Sequence, residues 1–136
     1  MSILNTHDME LVESANKLMK KLYQEGKHHV AAAVRTKSCK VYTAVNLEAY
    51  VGRAAVCAEA IVLGKAISEG DREFETIVAV LSNSEGSDSR VVSPCGMCRE
   101  LVSDYGEDIQ VILPGEGDVL RKTGVMELLP DKYKRI

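Results

Sequence analysis

The sequence has no excess of basic residues, no long hydrophobic run, no internal repeat and no low-complexity segment. Lys and Arg total 17 against 20 Asp and Glu, a net charge of -3, so no global field attracts a phosphate backbone and nucleic acid is not an expected partner. No window approaches the roughly 18 apolar residues that a membrane span requires. The opening residues, MSILNTHDMELVES, lack the basic stretch and apolar core of a secretory leader. These absences predict no membrane partner and a cytoplasmic location. What is present, 46% apolar residues in a chain of 136, is enough for one packed domain over 1–136 and leaves no room for two.

Apolar residues recur at three- and four-residue steps over 8–24, which predicts an amphipathic helix with Thr6 or Asp8 as its cap and Gly26 as its stop. Two β-rich runs, 29–34 and 41–45, flank the polar Thr36 to Lys40 and read as a hairpin. Residues 56–68 are apolar almost all round, too long for one strand, and predict a buried helix beginning near Cys57. The runs 76–81 and 109–113 are short and continuous, as strands covered on both faces would be. Between them a polar loop, SNSEGSDS, precedes a helix opened by Pro94-Cys95 and running to Tyr105. Residues 119–121 supply a short edge strand and 125–129 a brief helix stopped by Pro130. This order predicts an α/β fold, a three-layer α/β/α arrangement around a mixed five-stranded sheet.

Four cysteines are present, Cys39, Cys57, Cys95 and Cys98. In a reducing compartment a C-x-x-C pair reads as metal-binding or redox-active before it reads as a structural disulfide. Cys57, in Cys57-Ala58-Glu59, and the pair in Pro94-Cys95-Gly96-Met97-Cys98 each stand where a helix begins, and a helix N-terminus stabilises thiolate. Three protein ligands and one open position are the count of a catalytic zinc site. Three thiolates around Zn2+ sum to -1, so a bound water is acidified less than it would be among neutral imidazoles, and a nearby base is needed. Glu59, two residues after a ligand in the first helical turn, is the candidate proton shuttle. Cys39 has no partner at ligand spacing and reads as a bystander. His28 and His29 are not needed as ligands beside three thiolates. The combination matches the general pattern of zinc nucleobase deaminases, H-x-E followed by P-C-x-x-C, with cysteine allowed at the first ligand.

On these motifs the sequence resembles the cytidine deaminase family, including its blasticidin S deaminase branch, over about 26–133. The segment GKHHVAAAVRTKSCKVYTAVNLEAYVGRAAVCAEA is similar, without gaps, to the family's run from a substrate-stacking aromatic through a hairpin to an N-x-E pair and the zinc-binding C-A-E. SPCGMCRELV resembles its second zinc motif and ELLPDKY its tail. The resemblance implies Cys57, Cys95 and Cys98 as ligands of Zn2+, with Glu59 moving a proton from water to the ring nitrogen and then to the leaving amine. It implies Asn46 and Glu48 as partners of the sugar hydroxyls, though both also fit a plain polar strand exit. Backbone groups near Ala58, Ser93 and Pro94 would read the base edge. His28 stands in place of the stacking Phe or Tyr, and Tyr133 in place of an aromatic that packs near the pocket. Ala60 replaces the Arg of C-A-E-R, which leaves Arg53, Arg90 or Arg99 to offset the thiolate charge.

The expected activity is hydrolytic deamination of a free cytosine nucleoside, cytidine or deoxycytidine, with a place in pyrimidine salvage. The alternative is a nucleoside antibiotic such as blasticidin S: Ala60 and the ELLPxxY tail lean toward that branch, Asn46 with Glu48 toward ordinary cytidine deaminases. A homotetramer is implied by the resemblance. Three other classes stay open on sequence: a thiol redox protein using Cys95 and Cys98, a binding module with structural zinc, and a deaminase of nucleic acid.

Overall fold

A computed structural model describes residues 4–83 and 88–136. The first helix, α1 (Thr6–Leu22), is capped by Asn5, whose side chain accepts from the Asp8 backbone N–H while Asp8 accepts from that of Asn5. Neither Thr6 nor Asp8 is the cap, because Asp8 occupies the third helical position, from which a carboxylate reaches back to close the reciprocal pair. The helix also stops two residues short of Gln24. Gln24 bridges His28 around Gly26, whose φ of +76° suits a residue without a side chain.

Strands β1 (Val30–Thr36) and β2 (Val41–Val45) form the expected hairpin, with Ala33 opposite Thr43. Helix α2 (Ala58–Ser68) follows a 3-10 turn at Gly52–Ala54. It leads to β3 (Phe74–Ser82), the strand on which the sheet is organised. The polar stretch read as a loop over 82–89 is shorter than expected: Ser82 ends β3, Ser89 opens β4 (Ser89–Val92), and 84–87 lie outside the described residues. Helix α3 (Gly96–Tyr105), β5 (Gln110–Pro114), β6 (Leu120–Gly124) and a 3-10 turn at Val125–Leu128 complete the chain.

The described residues give a sheet of six strands rather than five, in the order β2-β1-β3-β5-β6 with β4 also on β3. β5 runs parallel to β3 at Thr76 and Ile77, while β4 pairs antiparallel with its other end, at Ala79 to Ser82. The two share one side of β3 end to end, which opens the sheet where the chain leaves β4 for α3.

Alternation along the strands sorts the core into two layers. Ala31 and Ala33, Val78 and Val80, Val91 and Ile112 pack against Leu11, Val12, Ala15 and Met19 of α1. Ala32 and Val34, Ile77 and Ala79, Val111 and Leu113 pack against α2 and α3 on the other face. The three consecutive alanines of β1, all fully buried, let helices approach closely from both sides. Phe74, the chain's single phenylalanine and 1% exposed, belongs to the second layer. Phe74→Ala is expected to lower stability by about 3–5 kcal/mol, read as an earlier midpoint in urea denaturation followed by circular dichroism.

Candidate metal centre and active site

Both helices on the second face begin at a cysteine. Cys57 is the N-cap of α2 and Cys95 that of α3, each with extended backbone angles and neither spending its side chain on a cap hydrogen bond. Cys98 follows in the first turn of α3 and is buried. Because the two helix starts meet beside β3 and β4, the three sulfurs converge to within 4.8 Å of one another, with Cys57 and Cys95 3.7 Å apart. A tetrahedral zinc with Zn–S bonds near 2.3 Å separates its sulfurs by about 3.8 Å. The donor set therefore fits zinc in identity, number and spacing. A redox pair would involve only Cys95 and Cys98, whereas Cys57 joins them at the same point. Cys39 lies far off in the exposed β1–β2 turn, at φ +70°.

The electrostatics favour a cation here. Burial pushes the Cys98 thiol far up, and the Glu59 carboxylate and the two neighbouring thiols push it further. Burial also raises Cys57. For Cys95 burial acts in the same direction but is outweighed by the Cys98 and Met97 backbone N–H groups and by the other thiols, so its thiol is lowered. Three would-be thiolates and a carboxylate crowded together repel one another, and a divalent ion at their centre reverses that repulsion. Glu59, in the first turn of α2, is 6% exposed. Burial raises its carboxyl, against the opposing effect of its own backbone N–H and the Cys98 thiol.

Cys57, Cys95 and Glu59 line a cleft of about 340 Å³, whose wall also includes Ala58, Ser93, Asn46, Glu48 and His29, with Leu47, Val56 and Met97 as its apolar part, while Cys98 is buried next to the other two sulfurs. Cys57, Ala58, Glu59, Ser93, Cys95, Asn46 and Glu48 are thus brought together from three separate stretches of chain. His28, Pro94 and Tyr133 are placed otherwise. His28 lies outside the cleft lining, its Nδ1 2.8 Å from the Asn46 carbonyl oxygen. Pro94 is buried beneath the site, its carbonyl accepting from Arg99 Nε at 2.9 Å. Tyr133 is 78% exposed in a groove beside α3, where Lys132 bonds Ser103 and Lys134 bonds Glu107 to hold the tail down.

Of the arginines considered as counter-charges, Arg99 follows Cys98 directly and ties the carbonyl before Cys95 to that of Leu128. Arg53 and Arg90 are exposed on the 3-10 turn and on β4. His29 is the cleft residue that sequence reasoning misses. The signal was the adjacency of the two histidines at a strand entrance, where neighbours point to opposite sides and only one can face the cleft.

Residues 5–113 match the family described as the cytidine and deoxycytidylate deaminase zinc-binding region. The chain belongs to that family and is a zinc-dependent aminohydrolase. Among curated proteins it is 50% identical over 135 residues to blasticidin-S deaminase from Bacillus cereus, covering 97% of this chain and 96% of that one. It is 29% identical over 128 residues to cytidine deaminase from Sporosarcina psychrophila, covering 93% and 90%. Among solved structures, cytidine deaminase from Burkholderia pseudomallei superposes with a TM-score of 0.75 at 28% identity, over 96% of this chain and all of that one. The Bacillus anthracis enzyme shares the fold with a TM-score of 0.80 at 21% identity, over 95% and 90%. No helix among the described residues is long and apolar enough to cross a membrane.

Proposed function

We propose that the chain hydrolyses the exocyclic amine of a free cytosine nucleoside, cytidine or deoxycytidine, giving the uracil counterpart and ammonia. The observation that carries this reading is the junction of three convergent thiols with a buried carboxyl beside a 340 Å³ cleft, within the size range of about 300–1,000 Å³ typical of small-molecule sites. Cys57, Cys95 and Cys98 hold the zinc, which when bound acidifies a water and so supplies the nucleophile. Glu59 would take one proton from the attacking water and deliver it to the ring nitrogen N3, then pass the proton of the new C4 hydroxyl to the departing amine, leaving the C4 carbonyl and N3–H of the uracil product. Its burial suits the first half of the task, because a desolvated carboxylate takes up a proton more readily than one in water. Backbone groups of Ala58 and Ser93 would face the base edge and Glu48 the sugar, with the Asn46 amide, expected beside it, spent on the His29 and Val30 backbone N–H groups. The acidic net charge and the absence of a basic excess favour a free nucleoside over a polynucleotide.

A second reading, deamination of the nucleoside antibiotic blasticidin S, is supported by 50% identity to a blasticidin-S deaminase over nearly the whole of both chains. Assembly as a homotetramer agrees with the exposure of Leu47, Tyr50, Val51 and Met97 at and beside the cleft mouth. An absorbance assay on zinc-quantified protein with cytidine, deoxycytidine, cytosine and blasticidin S separates the readings. Fastest turnover of cytidine or deoxycytidine supports the first and of blasticidin S the second; inertness toward all four despite stoichiometric zinc overturns both. Size-exclusion chromatography with light scattering tests the tetramer.

A further inference from the structure

Asn46 Oδ1 accepts the backbone N–H groups of His29 at 2.8 Å and of Val30 at 3.0 Å. Both partners are donors, so the orientation of the Asn46 amide is fixed, and Nδ2 is the atom facing His29 Nδ1 at 3.3 Å. An amide nitrogen only donates. His29 Nδ1 is therefore an acceptor, and the ring hydrogen stands on Nε2. Nε2 lies 3.9 Å from Glu48 Oε2, with the two side chains 36% and 39% exposed in the cleft wall.

That separation is too long for a direct hydrogen bond but is spanned by one oxygen placed about 2.8 Å from each atom. Such an oxygen accepts from Nε2–H and, when it carries a hydrogen, donates to the carboxylate. The gap is thus complementary to an oxygen substituent and to no apolar group. Asn46, being 6% exposed and committed to two backbone donors, serves chiefly to build this arrangement.

We propose that His29 is a substrate-orienting residue, donating its Nε2–H to an oxygen on the sugar ring of the nucleoside in the gap beside Glu48. This rests on the function proposed above. A ribose hydroxyl is such an oxygen, able to accept from His29 and donate to Glu48 at once.

The test compares wild type, His29→Ala and His29→Gln, each checked for zinc content and melting temperature, on cytidine, 2′-deoxycytidine, 3′-deoxycytidine and blasticidin S. His29→Ala is expected to raise KM roughly tenfold, as loss of one hydrogen bond to substrate would. Its kcat should stay within about twofold, because the bond forms equally in ground and transition states. His29→Gln, which keeps a side-chain N–H donor, should recover most of the loss. Loss of the effect on one deoxynucleoside identifies the hydroxyl it lacks, and an effect confined to blasticidin S, with none on either cytosine nucleoside that carries the hydroxyl, overturns the assignment. Unchanged KM in His29→Ala for every substrate, or a fall in kcat with KM unmoved, overturns the assignment while leaving the proposed function standing. Wild-type inertness on all substrates overturns both.

Discussion

Glu59→Gln is expected to reduce turnover by roughly two to four orders of magnitude, the range for loss of a positioned acid–base group, while zinc remains stoichiometric. The glutamine amide is close to the carboxyl in size and leaves the first turn of α2 intact, so the loss will appear in kcat rather than in melting temperature. Glu59 sits two residues beyond Cys57 and in contact with the Cys98 thiol, where it can touch both a nucleophilic water and the base. Metal analysis beside stopped-time absorbance measurements checks the result. A variant retaining a near-normal rate would falsify the assignment.

Cys57→Ala is expected to remove zinc and activity together. Cys95 and Cys98 come from one helix turn, and Cys57 is the proposed ligand at the start of α2. Two thiolates leave a tetrahedral ion half exposed to water, so chelator should strip the variant at concentrations that the wild type tolerates. Turnover should drop by about four orders of magnitude or more, the metal-generated nucleophile being lost. The stabilisation that the wild type gains on zinc addition should also vanish, because an ion that no longer binds the folded chain tightly cannot shift its melting temperature. Retention of tight zinc in Cys57→Ala would exclude it from the ligand set.

Periodicity carried much of the architecture. Helix α1, the β1–β2 hairpin, α2 and the buried runs of β3 and β5 are long or uniform enough for one period to dominate. Strand β4 escaped because Ser89–Val92 spans four residues after a polar run and owes its pairing to β3, which no local pattern reveals. The Asn5 cap was missed for a related reason: Thr6 and Asp8 are equally good capping residues, and only the position of Asp8 in the helix selects the residue three before it. The clustering of three thiols was legible because cysteine is rare in this chain, two of the three stand in a C-x-x-C pair, and both groups fall where a helix was expected to begin. The substrate end was less so. His28 and His29 are the same residue type one position apart, and the difference between them is a matter of strand direction and of the bonds made by Asn46. Tyr133 lies in a tail anchored by Lys132 to Ser103 of α3 and by Lys134 to Glu107 just beyond it, contacts separated in sequence by nearly thirty residues.

The two helix starts carry a further consequence for the chain without metal. Serine, threonine, aspartate or asparagine at an N-cap stabilises a helix by about 1 kcal/mol, and α2 and α3 both forgo that in favour of a thiol whose side chain caps nothing. Without a metal across the three thiols, the first turns of both helices are expected to open to hydrogen exchange and to proteases more readily than with one bound. Zinc taken up by Cys57, Cys95 and Cys98 would tie the two starts together, so its addition is expected to slow exchange and cleavage at both of them at once.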